Sequence, residues 1–310
     1  MRGETLPLGV DIGAARTRVA LLERDRSGSV RLIAVAARET AAGAGAAIDA
    51  ARAELGTRER RCVLALGGPD THLRVSTLPG MRGGERVRAA RYEAAQSAGF
   101  TIADAAVRVV PVEGDRCVVG IARRTVLVER LAAARAAGLR PVAVDDAALA
   151  LRRVYPHAGA IVDVGVHAAT LVLAADPVPA CRVFAGGGEA MTAAIVAALG
   201  LDPASAEARK RSVGTAGAGE HAREALVEQL AAALIDHRSR ARREVDEIVL
   251  VGNGSRTCGL AESIERAVAV PVRLGSLAPE LSPGLPPDVV RAAAPDWALA
   301  YGLGLWECAA

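Results

Sequence analysis

The sequence predicts an α/β fold of two related lobes that face one cleft, and three observations support this. The stretch Val-Asp-Ile-Gly at positions 10–13 returns 152 positions later as Val-Asp-Val-Gly at 162–165. Each copy continues with two further β-rich runs and an Ala-rich helix, so each predicts a βββα unit. The copies are separated by a stretch with its own strand and helix patterns. This stretch predicts a small α/β subdomain inserted into the first lobe.

Length and composition allow such a division into domains. The 310 residues are 51% hydrophobic, which is enough for two domains of ordinary size with buried cores. We expect residues 1–60, 138–158 and 295–310 to form the first lobe. Residues 61–137 are expected to form the inserted subdomain, and residues 159–294 the second lobe.

Charge, cysteine usage and hydropathy exclude several classes of protein. The 38 basic and 35 acidic residues give a net charge of +3, without the concentrated basic stripe of a general nucleic-acid binder. The five cysteines contain no Cys-x-x-Cys pair, which favours reduced thiols in a cytosolic protein. We expect no signal peptide, because the N-terminus leads almost directly into a predicted strand. We expect no transmembrane helix, because Asp163 and His167 interrupt the longest apolar stretch, Ala158–Ala175. The expected protein is soluble and cytoplasmic.

The elements of the two lobes follow the same order. In the first lobe we predict strands at Leu6–Ile12, Thr17–Leu22 and Val30–Ala36, then a helix near Ala41–Leu55. In the second lobe we predict strands at Ala160–Val164, Thr170–Ala174 and Ala180–Phe184, then a helix over Glu189–Leu199. Later come a helix that begins at Asp202-Pro203, a long helix Glu220–Glu244, a strand Glu247–Val251, a loop Leu277–Pro287 and a last helix Asp296–Trp306.

The intervening stretch has the patterns of a compact unit. We predict a strand at Cys62–Leu66, a helix Gly84–Ala98, strands Val107–Val112 and Cys117–Ala122, a helix Thr125–Ala137 and a strand Arg140–Val144 that leads into Asp145-Asp146. The helix Gly84–Ala98 has alanines on one side and Arg86, Arg88 and Arg91 on the other.

The repeated Asp-x-Gly segments are the strongest functional signal. Gly lets a backbone turn sharply and approach a ligand, and the amides of such a turn can hold a phosphate. Two carboxylates at facing strand ends, Asp11 and Asp163, would repel each other unless a cation lies between them. Mg²⁺ suits this place because it keeps several waters and takes one or two carboxylates plus phosphate oxygens. The pair predicts a clamp on the phosphates of a nucleotide.

Other residues extend this site. Arg18 follows the first turn by five residues and could reach a phosphate, although a solvated strand arginine explains its position equally well. Gly252-Asn253-Gly254-Ser255 follows a predicted strand and precedes a helix, as an adenosine-phosphate site requires. Glu207 and Lys210 share a helix face and could bracket a ribose or an adenine edge, or form only a surface ion pair.

With these segments in order, the sequence resembles the PilM family of type IV pilus assembly proteins, and more distantly FtsA. The similar stretches are Leu8–Gly13, Pro141–Leu151, Ala160–Gly165, Gly187–Ile195, Ala206–Lys210, Ile248–Arg256 and Gly259–Ile264, and Arg91–Gln96 resembles the insert helix of that family. The resemblance implies duplicated ribonuclease H-like βββαβαβα lobes of the actin and Hsp70 ATPase fold. The inserted subdomain is shared by PilM and FtsA and is lacking in actin and Hsp70.

The resemblance also implies roles for individual residues. The first phosphate site is expected to comprise Asp11, Gly13, Ala14, Ala15, Arg16 and Arg18, and the second Asp163, Gly165 and Thr170. The cofactor-binding residues further include Gly187, Gly188, Glu207, Lys210, Gly252, Asn253, Gly254 and Ser255. Asp11 and Asp163 would hold Mg²⁺ through water, and Asp145 lies near where enzymes of this fold place a water-orienting side chain. The implied cofactors are ATP and Mg²⁺.

Two departures from the family pattern concern hydrolysis. The first loop carries Ala14 and Ala15 where the family often has serines, and the second carries Ala168 and Ala169 where it often has hydroxyl residues. Backbone amides remain, so we expect nucleotide binding with slow or absent turnover.

The resemblance implies an ATP-binding cytoplasmic scaffold of the pilus inner-membrane platform. Its expected partner is the cytoplasmic tail of a PilN-like membrane protein, through which alone it would associate with the membrane. We expect the tail to dock in a groove between the insert and the first lobe, with Gly84–Ala98 providing an alanine wall and an arginine rim. A small-molecule kinase using Asp145 or Asp146 and an FtsA-like filament protein are the alternatives. Self-association is left open, and no nucleic-acid partner is expected.

Overall fold

The computed structural model describes residues 3–97, 100–241, 244–277 and 295–308. Within these ranges the strands are β1 (Glu4–Thr5), β2 (Leu8–Ile12), β3 (Arg16–Arg24), β4 (Val30–Glu39), β5 (Arg61–Leu66), β6 (Thr71–Thr77), β7 (Ala105–Pro111), β8 (Arg116–Arg123), β9 (Arg140–Asp146), β10 (Ala160–Val164), β11 (Ala168–Leu173), β12 (Ala180–Ala185), β13 (Ile248–Val251) and β14 (Val272–Leu274). The α-helices are α1 (Ala44–Leu55), α2 (Gly83–Ser97), α3 (Arg124–Ala136), α4 (Ala147–Val154), α5 (Gly188–Leu199), α6 (Pro203–Ser212), α7 (Glu220–Ala241), α8 (Leu260–Val268) and α9 (Ala298–Gly304).

The first sheet has the strand order β1-β3-β2-β5-β9, and β4 also pairs with β3. Strands β2, β3 and β4 form an antiparallel meander, whereas β5 and β9 run parallel to β2. One face of this sheet carries Val10 of β2 and Val19 and Leu21 of β3, and Ile48 of α1 and Ala134 of α3 bury it. The carboxyl end of β2 is therefore the point at which the first Asp-Gly turn leaves the sheet.

The second sheet, β12-β11-β10-β13-β14, repeats this plan. Strand β10 occupies Ala160–Val164, which is the range of β2 displaced by the 152 residues of the sequence repeat. It pairs antiparallel with β11 and parallel with β13, and α7 and α8 bury its outer face. The parallel pairing places the turn after β13 beside the turn after β10.

A shared core joins the two sheets. Helices α4 and α9 contribute Leu151 and Tyr301 to a buried cluster that also holds Leu22 of the first sheet and Ile161 and Val249 of the second. Both inner faces therefore bury their apolar side chains against the same two helices, which fixes how the Asp-Gly turns face each other.

The inserted sheet has the order β6-β8-β7 and is antiparallel throughout. Helix α2 covers one face, where Ala90 and Ala94 pack with Val119 and Ile121. Gly120 pairs with Leu73 on one side and with Arg108 on the other, so these three residues share the opposite face.

Several elements differ from the sequence predictions. Strand β6 and helix α4 were not predicted. Strand β6 alternates polar and weakly apolar residues and is half-buried, so it lacks a strong β pattern. Asp146 caps the start of helix α4, since its carboxylate accepts a hydrogen bond from the Ala148 amide at 2.8 Å. From the sequence, Asp145 and Asp146 were interpreted as a candidate site.

Other predicted elements differ in length from the structure or lie partly outside the described residues. The predicted last helix is shorter, with α9 flanked by 3-10 turns at Pro295–Trp297 and Trp306–Cys308. Most of the predicted loop Leu277–Pro287 lies outside the described residues, as do residues 242–243 of the predicted long helix. None of the helices in the described ranges has the length and apolarity needed to cross a bilayer.

Candidate functional site

A cavity of about 410 Å³ lies between the two lobes, where the carboxyl ends of β2, β10 and β13 meet. It is lined by the first Asp-Gly turn, the second Asp-Gly turn, the turn after β13, the start of α5, part of α6 and the start of the C-terminal segment. Three loops from two lobes thus surround one space.

The first turn is held from several sides. The Gly13 amide donates to the Arg16 carbonyl at 3.1 Å, which closes the hairpin between β2 and β3. Thr40 Oγ1 donates to the Gly13 carbonyl at 2.9 Å, and Arg130 of α3 donates to the Ile12 carbonyl. These contacts fix the backbone of the turn, whose residues 13–16 line the cavity.

Arg18 lies directly opposite Asp11 in the β2–β3 register. Its guanidinium is 3.5 Å from the Asp11 carboxylate through Nη1 and 3.7 Å from the Asp296 carboxylate through Nη2. The side chain is buried at the cavity wall, so Arg18 is not a solvated strand arginine.

The second turn has the same geometry as the first. The Gly165 amide donates to the Ala168 carbonyl at 2.9 Å, and Asp163 pairs with Thr170 where Asp11 pairs with Arg18. The two carboxylates therefore occupy equivalent positions on opposite walls of the cavity. The sequence repeat is a repeat of site geometry.

The turn after β13 requires glycine. Gly252 has φ +80°, and a Cβ there would lie 2.2 Å from Asp163 Oδ1. A Cβ at Gly254 would lie 2.6 Å from Val164 Cγ1. No other residue allows this backbone to lie directly against the second Asp-Gly turn, so the two loops act as one surface.

The pKa values of both Asp11 and Asp163 are raised in the folded protein. Burial and, to a smaller extent, the Asp11 carboxylate raise the pKa of Asp163 to about 6, although Arg18 opposes both. Burial also raises the pKa of Asp11, against the positive charges of Arg18 and Arg130. Two buried carboxylates with raised pKa values on facing walls suit a bound cation, because a cation would stabilise both ionised forms. Hard oxygen donors of this kind fit Mg²⁺ held partly through water.

Among the described residues, no group of three or more His, Cys, Asp or Glu side chains converges as a complete metal cage. The acidic side chains that line the cavity are Asp11, Asp163, Glu189, Glu207 and Asp296.

A hydrogen-bonded network lies beside the second Asp-Gly turn, where the Gly188 amide donates to the Gly165 carbonyl at 2.8 Å. The Lys210 ammonium is buried and donates to the Gly188 carbonyl at 2.9 Å, Thr192 Oγ1 at 2.8 Å and Glu207 Oε2 at 2.6 Å. Because these contacts use its three N–H donors, Lys210 ties α5 to α6. Arg211 extends the network from Glu207 Oε1 at 2.9 Å to Asn253 Oδ1 at 2.8 Å.

Glu207 is held ionised by the same network. Burial raises its pKa, but hydrogen bonds from Lys210, Arg211 and Thr192 outweigh burial, so the net pKa is lowered. Its carboxylate and the Asn253 amide meet at the cavity wall through Arg211, which connects α6 to the turn after β13.

The structure brings most of the predicted site residues to the cavity lining. These are Asp11, Gly13, Ala14, Ala15, Arg16, Arg18, Asp163, Gly165, Gly188, Glu207, Lys210, Gly252, Asn253 and Gly254. Thr170, Gly187 and Ser255 stand behind the lining. Ser255 donates to the Gly252 carbonyl at 2.7 Å, and a Cβ at Gly187 would lie 2.4 Å from the Gly165 carbonyl oxygen, so both shape the loops from behind.

Asp145 is not part of this cavity. It lies at the end of β9, the strand farthest from β3 in the first sheet, and its carboxylate pairs closely with Arg153. It borders a second cavity of about 250 Å³ between the insert and the first lobe. The prediction of a water-orienting role overlooked that β5 separates β9 from β2.

Some lining residues were not predicted, namely Leu151, Val166, Glu189, Thr192, Pro203, Arg211, Val251, Pro295, Asp296 and Leu299. Asp296 lies 133 residues beyond Asp163, with no local motif around it. Arg211 directly follows the predicted Lys210, and its helical spacing of four from Glu207 could have indicated it.

The second cavity is lined on one side by the face of the inserted sheet that carries Leu73, Arg108 and Gly120. Its other wall is formed by Val144, Asp145 and Asp146 of β9 with Leu66 of β5. Helix α2 lies on the opposite face of the inserted sheet. The expectation that Gly84–Ala98 forms a wall of this groove is therefore wrong, and Arg88 and Arg91 do not line it.

Comparisons with known proteins agree with this architecture. A family model described as type IV pilus assembly protein PilM matches residues 9–307. A solved PilM–PilN type IV pilus biogenesis complex is 25% identical, has a TM-score of 0.82 and is matched over 96% of this chain and 97% of that chain. No curated protein sequence matches the chain.

More distant structures share the fold alone. The ethanolamine utilization protein EutJ from Carboxydothermus hydrogenoformans is 14% identical, with a TM-score of 0.59 over 99% of this chain and 91% of that chain. A diol dehydratase-reactivating factor, in nucleotide-free form, is 12% identical, with a TM-score of 0.56 over 98% of this chain and 99% of that chain. The predicted duplicated α/β fold of the actin-like ATPases is confirmed, and the family match over nearly the whole length shows that this chain belongs to the PilM family of type IV pilus assembly proteins.

Proposed function

We propose that this chain is an ATP-binding scaffold on the cytoplasmic face of the pilus inner-membrane platform, and that it binds the tail of a PilN-like membrane protein. The observation that carries the first half is the pair of Asp-Gly turns that have matching strand registers and line one cavity. Membership of the PilM family and the likeness to the PilM–PilN complex support the second half.

The residues of the cavity divide the work of holding a nucleotide. Mg²⁺ would be held through water by Asp11 and Asp163, and it would neutralise phosphate charge. Arg18 lies within reach of the same space and offers a charge-assisted donor to a phosphate oxygen. Backbone amides of the two Asp-Gly turns provide further donors. The turn Gly252–Gly254 offers a flat backbone surface to the nucleoside, beside Glu207.

Lys210 supports this wall indirectly. Its ammonium is already bonded to Gly188, Thr192 and Glu207, so it fixes the start of α5, and its aliphatic stem lines the cavity. The proposed nucleoside contact is thus a contact with the stem and with the Glu207 carboxylate.

We propose that hydrolysis is slow or absent. Ala14, Ala15, Ala168 and Ala169 provide no hydroxyl donors in the two turns. Asp145 and Asp146, the bases suggested by the sequence, border the second cavity, and Asp145 pairs there with Arg153. Turns that offer backbone amides without these hydroxyl donors support binding better than they support the transition state.

We propose that the partner tail occupies the groove between the inserted sheet and β9. Its lining is mostly apolar, with Leu66, Leu73, Ile121, Leu127 and Val144, and small residues leave room at Ala106, Gly120 and Ala122. An extended peptide could bury alternate side chains there, and Asp146 and Arg108 could set its register through charge.

Titration calorimetry with the purified chain tests the proposal. Mg·ATP should bind at a single site, and a synthetic tail peptide should bind with equal affinity to the ATP-bound and ATP-free protein or be tightened by ATP. Asp11→Ala should weaken Mg·ATP about tenfold or more, because a lost charge-assisted contact is worth about 1.5–3 kcal/mol. Absence of heat with millimolar Mg·ATP, together with an unchanged melting temperature, would refute nucleotide binding.

A further inference from the structure

The guanidinium of Arg18 lies between two carboxylates on opposite sides. Nη1 is 3.5 Å from Asp11 Oδ2, and Nη2 is 3.7 Å from Asp296 Oδ2. A charge-assisted hydrogen bond is normally about 2.7–2.9 Å long, so neither contact is tight. Arg18 is thus attracted by both acids and firmly bonded to neither.

Asp296 belongs to a part of the chain far from either Asp-Gly turn. It stands in the 3-10 turn Pro295–Trp297, which is tied to the nucleoside loop because the Gly252 amide donates to the Pro295 carbonyl at 3.2 Å. Its side chain is 13% exposed and lines the central cavity. The C-terminal segment therefore inserts a third acid between the two lobes.

Among the described residues, the hydrogen bonds expected of a purely structural carboxylate are incomplete at Asp296. Its Oδ1 is buried and has no hydrogen-bond donor among the described residues. The nearest cation to that oxygen is Arg256, at 3.8 Å through Nη1. A carboxylate whose role is to stabilise the fold normally has its buried oxygens bonded, because an unpaired one is costly.

Three acidic side chains share the space around Arg18. Asp11, Asp163 and Asp296 face the space that would hold phosphates, and Arg18 is the cation that lies among them. Of the other cations of the lining, Lys210 and Arg211 are paired with Glu207, and Arg16 is an exposed residue of the first turn. A bare polyphosphate entering this space meets three acids and an arginine whose charge two of them already share.

We propose that Asp296 is a specificity-determining residue that competes with the ligand's phosphates for Arg18, so that the cavity accepts metal-complexed nucleotide and rejects metal-free nucleotide. This inference rests on the proposed nucleotide-binding function. A phosphate oxygen that reaches Arg18 takes the place of Asp296, and the displaced carboxylate stays nearby as a repulsive charge. The cation that accompanies the phosphates offsets that repulsion, and a metal-free ligand has nothing to offset it.

A positioning role for Asp296 predicts the opposite result. If the carboxylate only aimed Arg18 at the phosphates, its removal would leave the guanidinium misdirected and would weaken every nucleotide. Competition predicts that removal of the charge strengthens binding, most of all for the metal-free ligand. The sign of the change therefore separates the two roles.

Calorimetric titrations of wild type and Asp296→Asn with ATP, once with Mg²⁺ and once with EDTA, test the inference. We expect the substitution to tighten metal-free ATP about tenfold and to change Mg·ATP less than threefold. Asp296→Glu, which keeps the charge, should retain most of the wild-type discrimination. Asp49→Asn, an exposed acid of α1 that pairs with Arg52, is the charge-matched control and should change neither affinity.

A double variant identifies the route of the effect. Arg18→Met combined with Asp296→Asn should lose the gain seen with Asp296→Asn alone, because the competition acts through Arg18. Unchanged or weaker binding of metal-free ATP by a folded Asp296→Asn variant would overturn the inference while wild-type binding of Mg·ATP kept the proposed function intact. If wild type binds neither form, both the proposed function and the inference fail.

Discussion

Asp163 shows how a single residue can lower stability for the sake of a site. Its pKa in the folded protein is about 6, against an ordinary value of 3.8, chiefly because of burial. Between these pH values the folded state holds more protons than the unfolded state, so the free energy of unfolding falls as pH rises through this window. The resulting decrease in the free energy of unfolding is complete above about pH 7.

Asp163→Asn stays neutral at every pH, so it should be more stable than wild type above about pH 6 and equal to it near pH 4. A two-unit shift corresponds to at most about 3 kcal/mol, and partial access of solvent from the cavity reduces the expected gain to about 1–2 kcal/mol. Denaturant melts at both pH values measure this difference. The same variant should bind Mg·ATP more weakly, and a stability gain that persists unchanged at pH 4 would argue against the assignment.

Gly252 illustrates a residue whose identity follows from contact as well as from backbone angle. Gly252 has φ +80° and a Cβ would meet Asp163 Oδ1 at 2.2 Å, whereas Gly28 has φ +87° with open space around it. Gly28→Ala should cost only the left-handed strain, about 1–2 kcal/mol. Gly252→Ala should cost clearly more and abolish nucleotide binding. Thermal melts and calorimetry on both variants check this, and equal costs would mean that the close approach is absent.

At the scale of elements, the groove between the inserted sheet and β9 offers a direct test of the partner site. A Cβ at Gly120 would meet only Leu73 Cδ1 at 4.0 Å, so the fold can accept a side chain there. Gly120→Leu should fill the groove and weaken binding of a tail peptide more than about tenfold, since the buried anchors lose their place. Mg·ATP binding should not change.

The matched control lies on the other face of the same sheet. Arg88→Glu combined with Arg91→Glu alters exposed residues of α2, which packs away from the groove, and should leave peptide affinity at the wild-type value. Fluorescence anisotropy with a labelled tail gives both numbers. If the arginine variant weakens the peptide and Gly120→Leu does not, the partner binds along α2 instead.

The elements also show what a sequence can reveal. The two Asp-Gly turns and the Gly252–Gly254 turn were predictable, because glycine and a strand-end acid are strong local signals within the same few residues. The face of the inserted sheet that α2 covers was not, since alternation in β7 and β8 marks two faces without saying which one a helix buries. Asp296 was missed for a related reason. Its role depends on Arg18 and Arg256, which are distant in the chain and carry no shared motif.

At the scale of the whole molecule, the proposed function is nucleotide binding between the two lobes with little or no hydrolysis. Arg18 and the two aspartates can hold a Mg-nucleotide, but the turns lack hydroxyls and Asp145 is bonded elsewhere. We expect steady-state ATP turnover far below about 1 s⁻¹, the lower end of ordinary enzyme rates. A coupled phosphate-release assay measures this, with Asp163→Asn as the background control. Turnover at or above that rate would revive the kinase alternative.

The lobes share one core through α4 and α9, so a ligand bound between them should stabilise the backbone of both sheets. Hydrogen exchange of the intact chain, with and without saturating Mg·ATP, tests most directly whether a nucleotide binds between the two Asp-Gly turns. We predict slower exchange in three separate segments, at residues 11–18 of the first lobe and at 163–170 and 252–257 of the second. Slower exchange confined to one lobe, or none at these turns despite bound nucleotide, would contradict a nucleotide clamped between the two Asp-Gly turns.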